Sequence, residues 1–172
     1  MEAVNLGNRY SASILIGGKL PRKQFMAFME EVHLEELGLE WATPFPAELR
    51  DPARMADLLD GDGILRLVSE AANHGEFPNL EPFLRASELS YDRHSGVDGG
   101  CDRVAVLWRP GMERPFESWA STDSDALVDA GPVLEAHRAL RAGNLPAALE
   151  LLEQSVGALE RIGALPRFEI TE

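Results

Sequence analysis

Two segments of the chain alternate their apolar residues with the period of a β-strand. In residues 10–16 every second side chain is apolar on one face, and the pattern stops at a pair of glycines. Residues 103–109 carry apolar side chains on both faces, which favours an interior position in a sheet. Shorter apolar runs predict strands at 64–68 and 89–93, and residues 167–171 are a candidate edge strand.

Helical spacing of apolar residues predicts the remaining elements. One helix is expected within 21–38, a short one at 52–59, and a brief one that Asn79 caps. Residues 132–163 are predicted to form a C-terminal helical hairpin. Within it, residues 138–156 superficially resemble one tetratricopeptide hairpin, but the sequence contains no second copy upstream.

The order of these elements predicts an α+β fold, since the strands precede the closing helices instead of alternating regularly with them. We expect one domain spanning residues 1–172 around an antiparallel sheet of about four strands. The expected layout is split βαβ-like, with the helices on one face and the C-terminal hairpin packed on the domain.

Charge narrows the class of partner. The 172 residues include 29 acidic and 16 basic side chains, which gives a formal net charge of −13. Nucleic acid is disfavoured as a partner because phosphates are bound by clustered Lys and Arg. The negative field favours a protein with a basic surface, although it also simply keeps proteins soluble.

The same composition favours a soluble, cytoplasmic protein. The chain lacks an apolar run long enough to span a membrane, and residues 1–8 do not resemble a secretory signal. Its single cysteine cannot form an intrachain disulfide, which agrees with a reducing compartment.

The segment 89–109 concentrates reactive side chains around a glycine-rich turn. As an alternative to a binding function, Cys101 is a candidate nucleophile, His94 its base, and Asp98 or Asp92 the residue that orients the histidine. Asp92 and His94 share a strand face but are about 7 Å apart by strand rise, so their contact would be loose. A flexible polar turn explains the segment more simply, and the enzyme hypothesis is the less favoured one.

Metal and cofactor motifs are incomplete. Residues 60–63 (Asp-Gly-Asp-Gly) do not meet the ligand spacing of a calcium loop and are better explained as a turn. Glu30 and His33 supply only half of a di-iron arrangement. We therefore expect no metal and no cofactor.

Aromatic side chains in predicted loops supply the preferred hypothesis, because Trp and Tyr dominate the energetics of protein interfaces. We expect an acidic, non-catalytic protein-binding module, of which a bacterial immunity or inhibitor protein is one form. A homodimer is also compatible with the pattern. The residues expected to contact the partner are Trp41, Phe45, Tyr91, Asp92, Phe116 and Trp119.

Overall fold

Six strands form one sheet in the computed structural model, which describes residues 9–41, 43–46, 51–96, 103–121 and 126–172. Five of them follow the order β2-β1-β3-β4-β5 with antiparallel neighbours, and β6 pairs parallel with the end of β1. The predicted α+β class is confirmed, but the expected number of about four strands is wrong. The strands are β1 (Arg9–Pro21), β2 (Leu65–Asn73), β3 (Ser90–Ser95), β4 (Val104–Trp108), β5 (Phe116–Trp119) and β6 (Phe168–Thr171).

In the part of the chain that the structure describes, four α-helices connect or follow these strands: α1 (Phe25–Leu34), α2 (Leu80–Ala86), α3 (Ala130–Arg141) and α4 (Leu145–Ile162). Short 3-10 helices precede α1 at Arg22–Gln24 and β2 at Pro52–Leu58. Because β2 and β3 both run antiparallel to β1, they are parallel to each other, with β1 between them and α2 in their connection. Within the described residues, none of the helices has the length and apolar character needed to cross a membrane.

The core lies between one face of the sheet and the helices α1 and α2. Alternation along β1 turns Ala12, Ile14 and Ile16 to this face, and all three are fully buried. They join a single apolar cluster with side chains of β2, β4 and both helices, including Leu65, Leu67, Phe25, Phe28, Leu80, Leu84, Val106 and Trp108. The strand faces expected for β1 and β4 therefore match the buried residues.

The chain after α4 crosses the opposite face of the sheet. Gly17 follows Ile16 on β1 and so points away from the core, and the carbonyl of Pro166 occupies the space that a Cβ atom at Gly17 would need. On the same face, Arg109 Nη2 donates a hydrogen bond to the carbonyl of Gly163 at 2.9 Å. Helices α1 and α2 therefore pack on one face of the sheet, whereas α4 ends on the other.

Candidate functional site

The two tryptophans predicted to bind a partner lie at opposite edges of the sheet. Trp41 follows Gly38, whose backbone N–H and carbonyl both bond to Val68 on the edge strand β2. Trp119 lies on β5, the other edge strand. Four strand spacings separate β2 from β5, which corresponds to about 19 Å. The two side chains therefore do not belong to one compact contact patch.

Two of the other predicted contact residues are buried. Tyr91 has no exposed surface, and Phe45 is 9% exposed and belongs to the apolar core. Tyr91 cannot contact a partner in this fold. Phe45 keeps a small exposed edge that lines a second groove, together with Val68 and Ser69 of β2. Neither residue belongs to the surface proposed below. Asp92 is partly buried. It forms a bidentate ion pair with Arg109, in which Oδ1 lies 2.6 Å from Nη1 and Oδ2 lies 3.3 Å from Nη2.

A groove of about 490 Å³ lies beside β5, between this strand, residues 127–132 and α4. We call it the β5 groove. Trp119 is 58% exposed and Leu127 is 48% exposed, and both line it. The backbone N–H of Leu127 donates to the carbonyl of Trp119 at 2.7 Å, which holds residues 127–132 along the strand. Phe116 also lines the groove and is partly exposed.

The β5 groove has acidic walls. Its charged lining residues are Glu117 and Asp129, and among the described lining residues none is basic. Glu117 and Trp119 are two positions apart on β5, so they share a strand face and lie about 7 Å apart along it. Asp129 caps α3 by accepting a hydrogen bond from the Gly131 N–H at 2.8 Å. The groove therefore combines an exposed indole with carboxylates.

The predicted thiol site is only partly described. Cys101 and Asp98 lie outside the described residues, so their position relative to His94 is not part of the structure. His94 lies on β3, opposite Ala105 on β4, with a half-buried side chain. The other candidate for orienting it, Asp92, has both carboxylate oxygens bonded to Arg109. The described residues therefore give the enzyme hypothesis no specific support.

A buried charged network, which the sequence reading missed, joins α2 to β3. Oε1 of Glu81 lies 2.8 Å from Nε of Arg93 and accepts a hydrogen bond from the Phe77 N–H at 3.2 Å. The Arg93 N–H does not point along this line, so the contact is an ion pair and not a hydrogen bond. Oε2 of Glu81 accepts from the Tyr91 hydroxyl at 3.1 Å, and Arg85 Nη1 donates to that hydroxyl at 2.8 Å.

Tyr91 stays neutral within this network, chiefly because it is buried. Burial raises the pKa of Tyr91, and the nearby Glu81 carboxylate raises this pKa further, while Arg85 opposes the shift. A phenol held in its protonated form donates a hydrogen bond but cannot act as a base. The sequence does contain signals of this network. Tyr91 and Arg93 are two positions apart on β3 and so share a strand face, and Glu81 and Arg85 are four residues apart on α2 and so share a helix face.

Neither a metal-binding cluster nor a similar known protein indicates a function for these residues. Among the described residues there is no group of three or more His, Cys, Asp or Glu side chains that could hold a metal ion. Residue Asp60 instead organises a turn, with Oδ1 accepting from the N–H groups of Asp62 and Ile64. No protein-family model, no curated protein and no solved structure matches the chain.

Proposed function

We propose that this chain is an acidic, non-catalytic protein-binding module whose partner presents a basic surface. The observation that carries the proposal is the exposed indole of Trp119 in the acidic β5 groove. Tryptophan is among the residues that contribute most to protein interfaces. An Arg or Lys side chain of the partner can lie over the indole face while carboxylates balance its charge.

The charge of the whole chain supports the same partner class. A net charge of −13 raises the rate at which a basic protein encounters this chain and disfavours acidic competitors. An immunity or inhibitor protein that neutralises a basic enzyme is one instance of such a module. This electrostatic attraction acts at a distance and brings the partner to the chain, whereas Trp119 provides the local contact.

Site-specific photocrosslinking in the host cell tests this proposal. A photoreactive amino acid replaces Leu127, whose exposed side chain lines the β5 groove, and the adducts are identified by mass spectrometry. The matched control places the same amino acid at Met26 on α1, which is 59% exposed. We expect adducts with a basic protein from position 127 and not from position 26.

Two substitutions test the chemistry of the contact. Trp119→Ala and Glu117→Lys are each expected to reduce the yield of the position-127 adduct, because they remove the indole or reverse the charge beside it. Identical adducts from both crosslinker positions would contradict the proposal. So would an acidic partner, or no adduct in cells that express the protein at its normal level.

A further inference from the structure

The C-terminal helices α3 and α4 expose a row of large apolar side chains. Six of them are between 37% and 57% exposed. Single exposed apolar residues are normal, but a contiguous set indicates a surface that another molecule covers. The six residues are Val133, Leu134, Leu140, Leu145, Leu149 and Val156.

Helical spacing places most of this set on one side of the hairpin. Leu145, Leu149 and Val156 recur at intervals of four and seven along α4, and so lie on one face of that helix. The small residues Ala136 and Ala148 are buried, as expected where α3 and α4 pack against each other. The apolar row therefore runs beside the contact between the two helices and not inside it; we call it the hairpin stripe.

The hairpin stripe also lies apart from the β5 groove. The α4 residues that line the groove are Gln154 and Ser155. At about 100° per residue, Gln154 lies well over 90° around the helix from Leu149 and Val156. The inference below therefore stands independently of the proposed function.

Charge indicates which molecule covers the hairpin stripe. Helix α3 carries Glu135, Arg138 and Arg141, a formal charge of +1, whereas α4 carries three glutamates and one arginine, a formal charge of −2. The two helices together therefore hold −1 of the chain's −13. A second copy therefore meets little repulsion at this surface, and the opposite signs of its two helices make the surface self-complementary.

We propose that the hairpin stripe is the interface of a two-fold symmetric homodimer, in which α3 of each copy packs against α4 of the other. A two-fold interface uses the same patch on both copies, and here each basic helix meets an acidic one. Pairing α4 with α4 would instead bring Glu153 and Glu160 against their own copies. The product is a four-helix bundle with antiparallel neighbours.

The dimensions predict a dimer of modest affinity. Helices of 18 and 12 residues are about 27 Å and 18 Å long and about 10 Å wide. A face of this size falls near the lower limit of specific interfaces, about 1,200 Å² in total. We therefore expect the dimer to dissociate on dilution. Its dissociation rate should be governed mainly by the apolar contacts.

Sedimentation velocity over a concentration series, with the full chain, tests the dimer. Wild type is expected to shift from monomer to dimer as concentration rises, and Leu149→Glu to remain monomeric with unchanged helical circular dichroism. Met26→Glu is the matched control, because it adds the same charge at an equally exposed apolar residue of α1. A wild type that is monomeric at every concentration would overturn the proposal, as would a Leu149→Glu dimer.

Charge reversal tests the pairing of α3 with α4 and does not depend on the folding of Leu149→Glu. Arg138 on α3 and Glu150 on α4 are both exposed, and they lie at nearly the same level where α3 of one copy runs antiparallel to α4 of the other. Arg138→Glu and Glu150→Arg are each expected to raise the dimer dissociation constant severalfold. The double variant Arg138→Glu/Glu150→Arg is expected to restore association, because the two facing residues then carry opposite charges again. Failure of the double variant to restore association would overturn the proposed arrangement of the helices.

Discussion

Glu81 illustrates how this fold accommodates a buried carboxylate. Removing a charged group from water costs several kcal/mol, and the cost is offset only where charges and donors surround the group. Arg93 supplies the opposite charge, while Tyr91 and the backbone of Phe77 supply donors. The Arg93 side chain is itself only 7% exposed and donates through Nη1 to the Gly75 carbonyl. Each charge is therefore tolerated because the other is present.

Glu81→Ala is expected to lower the free energy of unfolding by about 3–5 kcal/mol, because it leaves Arg93 buried without its counter-charge. Urea denaturation measures the loss. Glu81→Gln keeps an acceptor for the Phe77 N–H and is expected to cost less, so it remains informative if the alanine variant does not fold. Glu30→Ala, at an exposed position of α1, is the control and should change stability by no more than about 0.5 kcal/mol. A Glu81→Ala variant as stable as this control would contradict the role of the network.

Tyr91 is expected to make stability fall at alkaline pH. Its pKa is raised in the folded state, chiefly by burial, above the ordinary value of about 10. The unfolded chain then loses a proton that the folded protein keeps. The contribution of the raised Tyr91 pKa to the free energy of unfolding is complete below about pH 10. Above that pH it decreases by up to about 1.4 kcal/mol per pH unit.

Comparison with Tyr91→Phe isolates this effect, because every other titrating group is shared. The substitution is expected to cost about 1–3 kcal/mol near neutral pH, since it removes the hydroxyl between Arg85 and Glu81. The stability difference between the two proteins, measured by urea denaturation, should narrow as pH rises above about 10. A constant difference across that range would show that Tyr91 ionises in the folded protein as readily as in the unfolded chain.

Among the elements, β1 and β4 are predicted by their alternating apolar side chains, whereas β5 lacks such alternation and is not predicted. β1 and β4 were recognised from their apolar faces. β5 has only four residues, with Glu117 and Ser118 between its two aromatic residues, so its own sequence does not predict a strand. What stabilises it as a strand is its pairing with β4, from Leu107↔Phe116 to Val104↔Trp119. Such pairing is not encoded in the pattern of the segment itself.

The far end of β1 was missed for a related reason. The glycine pair Gly17-Gly18 predicts a turn, yet β1 continues to Pro21 because β6 pairs with residues 18–21. Gly18 adopts φ 114°, and its N–H donates to the Arg167 carbonyl at 3.1 Å. A segment about 150 residues later in the chain therefore determines the local conformation, which no local reading reveals.

Gly17→Ala tests this junction. An ideal Cβ at Gly17 would lie 2.0 Å from the Pro166 carbonyl oxygen, so the chain after α4 must move away from β1. We expect a loss of about 1–3 kcal/mol and faster hydrogen exchange in β6. Gly61→Ala is the matched control, since its Cβ would meet nothing within 4 Å. Equal stability and exchange in the two variants would contradict the close packing of residues 163–167 on the sheet.

At the scale of the molecule, the candidate site was predictable only in part. Trp119 and Phe116 were identified because aromatic residues in a polar connection are typical of interfaces. Leu127 and Asp129 were not, because they become neighbours of β5 only when residues 127–132 fold back along it. The sequence also grouped Trp41 with Trp119, since it gives no information on how many strands separate two loops.

The two proposed surfaces should respond to salt in opposite directions. Two copies that each carry −13 repel each other, and the screening length falls from about 30 Å at 0.01 M salt to about 8 Å at 0.15 M. Because apolar contacts hold the proposed dimer, added NaCl is expected to strengthen it, whereas a basic partner is expected to associate more slowly with the β5 groove.

Sedimentation and stopped-flow association, in the same buffers, measure the two responses. Exposed pairs such as Arg138 with Glu150 contribute at most about 1 kcal/mol each, so their screening should not reverse the trend for the dimer. A dimer that dissociates as salt rises would mean that ionic contacts, and not the hairpin stripe, hold the copies together. An association rate that is insensitive to salt would contradict the proposal that the negative charge of this chain accelerates its encounter with a basic partner.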